Sequence, residues 1–316
     1  MAPPDPDATS TTDDVLRGID LTGRTAVVTG GSGGLGLETA RALAAHGAGV
    51  VLAARDRDKC DAAVATLAER VPGAEVDVVL LDLASLASVR EAAAEIGRRH
   101  DRVDLLVDNA GVMACPLGRT ADGFEMQFGT NHLGHFLFTD LLHDRLVAAS
   151  PSRVVVLSSA GHRYSGIRWD DPNFEREDEY FNWTAYGQSK TANALFALEL
   201  DRRWGPEGVH AWSVHPGTII TDLGRHMTQE DFDFMAANRP GGVTWKSVEQ
   251  GAATTVWAAT APELLDHGGA YLEDCRVAPP NEDPASPEGV REWARDRDAA
   301  ARLWDLSADL VGLPTD

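Results

Sequence analysis

Short runs of β-branched and aliphatic residues recur along this 316-residue chain, and each is followed by a longer stretch with apolar residues at helical spacing. The runs at Thr25–Thr29, Gly49–Ala53, Glu75–Leu80, Val103–Val107, Arg153–Leu157 and Val209–Val214 predict strands, with a further short strand near Gly269–Leu272. Helices are expected over Leu35–His46, Asp56–Arg70, Ser85–Arg99, Gly123–Ala149, Thr184–Trp204 and Ser247–Ala259. Near-continuous Val, Leu and Ile within the strands implies burial on both faces, as in a parallel sheet covered by helices. Strict alternation with helices gives right-handed crossovers. The expected fold is α/β: a doubly wound parallel sheet of about seven strands with helices on both faces, in one domain over residues 19–275. Residues 1–18, rich in Pro, Asp and Thr, read as a mobile tail. Residues 276–316 read as an extension whose amphipathic helix, around Val290–Leu310, docks through Trp293, Leu303, Trp304 and Leu310.

Two stretches interrupt the alternation, residues 160–183 and residues 222–246. Both follow the carboxyl ends of strands, where ligands bind in open α/β sheets, so both are candidate substrate loops.

Composition narrows the function. With 49 acidic and 28 basic residues the net charge is −21, which argues against nucleic acid or an anionic membrane as partner. No run of about 18 apolar residues occurs, so no membrane span is expected, and the N-terminus lacks the basic and apolar parts of a signal peptide. Cys60, Cys115 and Cys275 show no C-x-x-C spacing, which argues against a disulfide framework or zinc and makes a reducing cytoplasm the expected location. The histidines lack metal-ligand spacing, so no metal is expected.

The candidate chemistry lies at strand ends. Thr29-Gly30-Gly31-Ser32-Gly33-Gly34-Leu35-Gly36 joins the first strand to the first helix. Glycines there let the backbone turn tightly and approach a pyrophosphate, which the free N–H groups of the helix N-terminus then bind. At the end of the second strand, where an acid would take the adenosine ribose, the chain reads Ala53-Ala54-Arg55, with Arg55 suited to a 2′-phosphate and Ser32 as a second contact. This points to NADP(H) over NAD(H). Asp56 could serve the ribose instead, but its position suits a helix N-cap. Asp82 and Leu83 are placed to reach the adenine, and Asn109, Ala110 and Gly111 bring backbone to the cofactor again. Asn131 is unfavourable in mid-helix and is either a tolerated core residue or a functional one. Ser158 and Ser159 end the fifth strand, and Pro216, Gly217, Ile219 and Thr221 follow the sixth, with the Thr221 hydroxyl placed for the nicotinamide. Tyr186 and Lys190 stand one helical turn apart, so the ammonium would favour the phenolate and make Tyr186 an acid and base near neutral pH. Lysine is scarce here, with only Lys59, Lys190 and Lys246 in the chain. Met113, His162, Tyr164, Trp183, Leu223, Met227, Phe232, Phe234 and Trp245 form an expected apolar substrate wall, while His215 reads as a packed residue.

These motifs, in this order, resemble the short-chain dehydrogenase/reductase family over about Leu21 to Leu272. The local wording is similar to the retinol-dehydrogenase-like subgroup: Asn-Ala-Gly-Val-Met at 109–113, Asn-His-Leu-Gly-His-Phe at 131–136, Ser-Ser-Ala-Gly-His at 158–162, Tyr-Gly-Gln-Ser-Lys-Thr-Ala-Asn at 186–193 and Gly-Gly-Ala-Tyr-Leu-Glu-Asp-Cys at 268–275. The resemblance implies a Rossmann-like fold and a tetrad of Asn131, Ser159, Tyr186 and Lys190. In that tetrad Tyr186 exchanges the proton, Ser159 binds the substrate oxygen, Lys190 holds the nicotinamide ribose and Asn131 holds a water. The implied activity is NADP(H)-dependent interconversion of a carbonyl and an alcohol on a small molecule. The chain departs from the family pattern at Asp108, where Asn is usual, and in the long interval between Ser159 and Tyr186. Light-dependent protochlorophyllide reductases share much of this wording, which keeps a C=C reductase as a second reading. A silent cofactor-sensing scaffold is a third, and the intact tetrad argues against it. The resemblance also implies a homodimer or homotetramer paired through the helices of Asn131 and Tyr186, a contact that the long loop and C-terminal tail could block.

Overall fold

The computed structural model describes residues 5–238, 242–284 and 286–314. Residues 1–4 of the expected tail, 239–241 of the second loop, and 285, 315 and 316 of the C-terminal extension lie outside the described residues. The strands are β1 (Thr25–Thr29), β2 (Gly49–Ala54), β3 (Val76–Leu80), β4 (Leu105–Asp108), β5 (Ser152–Leu157), β6 (Val209–His215), β7 (Tyr271–Glu273) and β8 (Arg276–Val277). They form one sheet in the order β3-β2-β1-β4-β5-β6-β7-β8. All pairs are parallel except β7–β8. The strand beyond the expected seven is β8: Asp274 and Cys275 adopt φ of 50° and 53° and fold the chain back along β7.

Alternate strand residues face opposite layers, as the pleat requires. Val27, Val51, Leu106 and Val154 pack in the layer of helices Leu86–Arg99, Gly134–Leu141 and Asn182–Trp204. Val28, Leu52, Val107 and Val155 pack in the layer of Gly34–Ala45 and Val248–Thr260. The reversal of strand order between β1 and β4 opens a crevice at the carboxyl edge, the binding position in doubly wound sheets.

Two expectations need correction. The long helix over Gly123–Ala149 is broken into Met126–Phe128, a π-helical turn at Gly129–Leu133, and helices Gly134–Leu141 and His143–Val147. Close packing accompanies this irregular stretch: a Cβ at Gly134 would lie 2.5 Å from the Leu83 oxygen, and one at Gly129 would lie 2.5 Å from Thr120 Cγ2. The mobile tail does not extend to residue 18. Thr11 caps a helical turn, Thr12–Val15, through a reciprocal capping box with Asp14. Leu16 is fully buried in the core, and Thr12 donates to Glu38 at 2.6 Å.

The C-terminal helix, Arg297–Val311, lies on the outer side of the helices that carry Asn131 and Tyr186. Trp304 sits 5.0 Å from Phe136 and 5.8 Å from Phe196, ring to ring, and Ser307 Oγ is 2.8 Å from His132 Nε2. The chain thus covers part of these helices with its own residues. Among the described residues no helix is long and apolar enough to cross a membrane, and no three His, Cys, Asp or Glu side chains form a metal set.

Candidate active site

The glycine turn is built by contact with the segment after β4. Gly30 has φ +66°, where L-residues with a side chain are strained. A Cβ at Gly36 would lie 2.4 Å from the Gly30 oxygen and 2.5 Å from Asn109 Nδ2. Asn109 Nδ2 in turn donates to the Thr29 oxygen at 2.8 Å, and the Asn109 and Ala110 N–H groups donate to Thr29 Oγ1 at 2.9 and 3.0 Å. Helix Gly34–Ala45 begins in this turn, and Gly30, Gly33, Gly34 and Gly36 present backbone without Cβ atoms to the adjoining groove, which fits a dinucleotide pyrophosphate.

That groove is a cleft of about 330 Å³. Of the expected cofactor residues, Gly30, Ser32, Gly34, Leu35, Gly36, Arg55, Asp82, Leu83, Asn109, Ala110, Gly111 and Thr221 line it. Asp56 is the N-cap of helix Arg57–Arg70 and accepts from Lys59 N–H at 3.1 Å. Its carboxylate is thus engaged in the cap, and the charged side chains at this end of the cleft include Arg55 and Lys59. Sequence reasoning missed Lys59, which lines the cleft from the first turn of this helix. Met126, Thr130 and Arg225 were also missed.

Asp108, the departure from the family pattern, is completely buried at the end of β4 and accepts from Thr139 Oγ1 at 2.8 Å. Burial pushes its carboxyl up to about 8, which favours the neutral acid, a form that carries a donor as Asn does.

Beyond the cleft lies a second cavity of about 430 Å³. Tyr186, Lys190, Ser158, Ser159, Pro216, Gly217 and Ile219 border it, and Leu35, Asn109, Gly111, Thr221, Asp222, Leu223 and Arg225 are shared by both. Tyr186 and Lys190 sit on helix Asn182–Trp204, where both are buried. A Cβ at Gly161 would lie 2.6 Å from Tyr186 Cε1 and 3.4 Å from Ser159 Oγ, so a bare glycine lets phenol and hydroxyl share one pocket. Ser159 Oγ accepts from Gly161 N–H at 3.0 Å, whereas Ser158 Oγ donates to the Lys190 oxygen at 2.7 Å. The two serines thus divide into a cavity group and a helix tether. Lys190 Nζ donates to the Leu157 oxygen at 2.8 Å, and burial brings its ammonium down to about 7.

Asn131 lies in the π-helical turn with its side chain fully engaged. Oδ1 accepts from Val112 N–H at 2.8 Å, and Nδ2 donates to the Val112 oxygen and Ser189 Oγ, both at 2.9 Å. A Cβ at Gly111 would meet Asn131 Oδ1 at 3.1 Å and Lys190 Nζ at 3.8 Å, so the three converge. Sequence reasoning missed the role of His135. Its Nδ1 lies 2.9 Å from the Asn131 oxygen and its Nε2 lies 2.8 Å from Thr29 Oγ1, which ties the Asn131 turn to the glycine turn. Burial pushes this imidazole down to about 4, so it is neutral and can donate at one nitrogen while accepting at the other.

The apolar wall contains Met113, Tyr164, Trp183, Leu223, Met227, Phe232 and Trp245, together with Met235, which sequence reasoning missed. Phe234 stands behind the wall, stacked 5.5 Å from Trp183. His162 is the clear miss, because it faces away from the cavity. It is 1% exposed, its Nδ1 lies 2.8 Å from the Ser159 oxygen, and its Nε2 accepts from Arg291 N–H at 3.1 Å. The C-terminal extension claims this ring, and Trp293 Nε1 donates to the His162 oxygen as well.

Both long loops reach the cavity, the first through Gly161, Tyr164 and Trp183 near its ends. Residues 160–183 run back along helix Asn182–Trp204, with Phe174 fully buried and Gln188 Nε2 donating to the Pro172 oxygen at 2.7 Å. Residues 222–238 and 242–246 border the cavity. Their helix, Gln229–Ala237, is anchored by Asp231, which accepts from Asn182 Nδ2 at 2.8 Å and Trp183 Nε1 at 2.9 Å. Where this second loop ends, Lys246 Nζ pairs with Asp274 at 2.5 Å and its N–H donates to the Thr218 oxygen at 2.9 Å.

Known proteins agree with this geometry. Residues 24–170 match the family described as short chain dehydrogenase. Retinol dehydrogenase 13 of Homo sapiens is 44% identical over 93% of this chain and 86% of its own length. Among solved structures, an uncharacterized protein from Mycobacterium paratuberculosis aligns with a TM-score of 0.73 at 36% identity, over 98% of this chain and 99% of that one. A Pseudomonas aeruginosa RhlG/NADP active-site complex aligns with a TM-score of 0.63 at 27% identity, over 80% and 95%. With a glycine turn, a buried Tyr186–Lys190 pair and a relative this similar along almost its whole length, the chain belongs to the short-chain dehydrogenase/reductase family, in its retinol-dehydrogenase-like subgroup, whose members are nicotinamide-dependent oxidoreductases.

Proposed function

We propose that this protein is an NADP(H)-dependent oxidoreductase that interconverts a carbonyl and an alcohol on bulky, largely apolar substrates, with Tyr186 as acid and base. The observation that carries this reading is the position of Tyr186, Ser159 and Lys190, which border the apolar cavity where it adjoins the glycine-lined cleft. The nicotinamide, when bound, supplies or accepts the hydride. Tyr186 gives its proton to the carbonyl oxygen in reduction and takes one from the alcohol in oxidation. Ser159 Oγ already accepts from Gly161, so its own proton is the one directed at the substrate oxygen, where negative charge develops. Lys190 holds the nicotinamide ribose and favours the phenolate while it is charged. Its shift toward neutral pH suits a group that also passes protons. Asn131 would hold the water that links Lys190 outward: its side chain is committed to Val112 and Ser189, so the acceptor for that water would be its main-chain oxygen, which it shares with His135 Nδ1 at 2.9 Å.

Arg55 and Lys59 support NADP(H) over NAD(H), since both line the cleft while Asp56 is engaged as a cap. The methionine and aromatic wall supports a bulky apolar substrate. The three cysteines are buried and free, which supports a reducing compartment such as the cytoplasm.

The test is to incubate the protein with NADPH or NADH and a panel of aldehydes, ketones and enones, following cofactor absorbance. Consumption with carbonyls, faster with NADPH, is expected. Tyr186→Phe should retain NADPH binding and lose nearly all turnover. Turnover on enones alone would make the protein a C=C reductase, and no consumption with any compound would favour a scaffold.

A further inference from the structure

Among the described residues three cationic side chains line the cleft in a chain of net charge −21, namely Arg55, Lys59 and Arg225. The first two stand together just after β2, at the end suited to adenosine. Arg225 comes from the substrate loop and borders both the cleft and the substrate cavity. The short turn that carries it, Asp222–Gly224, is capped by Thr221, whose Oγ1 accepts from Leu223 N–H at 3.3 Å. Thr221 also leans on the start of the glycine-turn helix: a Cβ at Gly34 would lie 3.6 Å from Thr221 Cγ2. The loop therefore begins directly over the helix N-terminus that faces the pyrophosphate groove. Among the described residues Arg225 makes one side-chain hydrogen bond, from Nη1 to the Asp222 oxygen at 3.0 Å, and it is exposed. A guanidinium has five N–H donors in a planar fork that matches phosphate oxygens. The substrate cavity beside it is mostly apolar and offers it little, whereas the phosphate groove offers an anion.

We propose that Arg225 is a cofactor-binding residue: it clamps the dinucleotide pyrophosphate from the loop side, opposite the N-terminus of helix Gly34–Ala45, so that cofactor binding seats the substrate wall. This rests on the nicotinamide-cofactor reading of the site. Met227 and Phe232 of that wall stand on the same loop as Arg225.

The experiment titrates wild type, Arg225→Gln and Arg55→Gln with NADP+ and with adenosine 2′-monophosphate, which lacks a pyrophosphate, by calorimetry. Arg225→Gln should weaken NADP+ by about tenfold or more, the worth of a charge-assisted hydrogen bond, and leave adenosine 2′-monophosphate unchanged. Arg55→Gln should weaken both ligands. NADP+, but not the monophosphate, should also slow tryptic cleavage after Arg225. Equal NADP+ affinity in Arg225→Gln and wild type would overturn the clamp. So would equal weakening of both ligands, which would make Arg225 a source of general attraction. If wild type binds no NADP+ or NADPH at all, the cofactor reading itself falls, an outcome distinct from either of these.

Discussion

The cofactor cleft and the substrate cavity share a wall and are built on opposite principles. The cleft is shaped by main chain: at Gly30 and Gly36 an added Cβ would fall within about 3 Å of neighbouring atoms, and Thr29, Asn109 and Ala110 lock the turn through hydrogen bonds. The cavity is shaped by long side chains on loops. Of the five methionines in the chain, Met113, Met227 and Met235 line the cavity and Met126 the cleft, while Met1 is not among the described residues. Methionine is unbranched and polarizable, so it fills irregular space and adapts to different partners. The same cofactor must be held in one geometry at every turnover, whereas the substrate wall can yield. Substitutions in the two regions should therefore differ in size and in kind.

The largest effect is expected in the cleft. Gly36→Ala would drive a methyl group to 2.4 Å from the Gly30 oxygen, a contact that only a shift of the turn can relieve. Misplacing the turn removes the backbone donors from the pyrophosphate. NADPH affinity should fall by about 100-fold or more, measured by calorimetry, with circular dichroism to confirm that the sheet remains. Near-normal affinity would show that the cleft yields as the cavity does, and the contrast would fail.

A smaller effect tests the frame beneath the cleft. Asp108 has its carboxyl raised to about 8 by burial, well above the ordinary value near 4 that it regains on unfolding. Below about pH 4 both states hold the proton and there is no cost. From about pH 4 to 8 only the unfolded chain ionises, so stability falls as pH rises; above about 8 the full cost is present. Asp108→Asn keeps the shape and removes the titration. Urea denaturation should place the variant increasingly above wild type across this window, with a difference that grows by roughly 1 kcal/mol per pH unit. A constant difference between pH 5 and pH 9 would mean that Asp108 is ionised or solvated in the fold.

The same contrast explains what could be read from the chain before its fold was known. Strand alternation, the glycine turn, Arg55 and the Tyr186–Lys190 pair are local signals, each encoded within a few neighbouring residues. The Asn131 turn was harder, because the contacts that surround it, Gly134 against Leu83 and Asn131 with Val112, are remote in sequence. His162 was misplaced for a related reason: Arg291 and Trp293, over a hundred residues later, turn it away from the cavity. Arg225 carries no local motif and matters only because its loop folds over the helix at Gly34. The tail was misread because Pro, Asp and Thr suggest disorder, while Val15 and Leu16 find a buried site against distant helices.

The smallest effect belongs to the substrate wall. Met227→Leu and Met235→Leu keep nearly the same volume and lose only flexibility, so their stability cost should stay below about 1.5 kcal/mol. Met227 also packs with Trp183 and Tyr186, so a stiffer side chain there should narrow the range of accepted shapes more than it lowers turnover on the best one. Across a panel of carbonyls of graded size, kcat/KM for the preferred substrate should change by no more than about threefold, while the least well-fitting compounds lose most. NADPH affinity should stay at the wild-type value, because Met227 and Met235 line the cavity and not the cleft. A uniform loss across the panel would mean that these methionines position the loop rather than accommodate the substrate, and the wall would then have to be counted with the rigid half of the site.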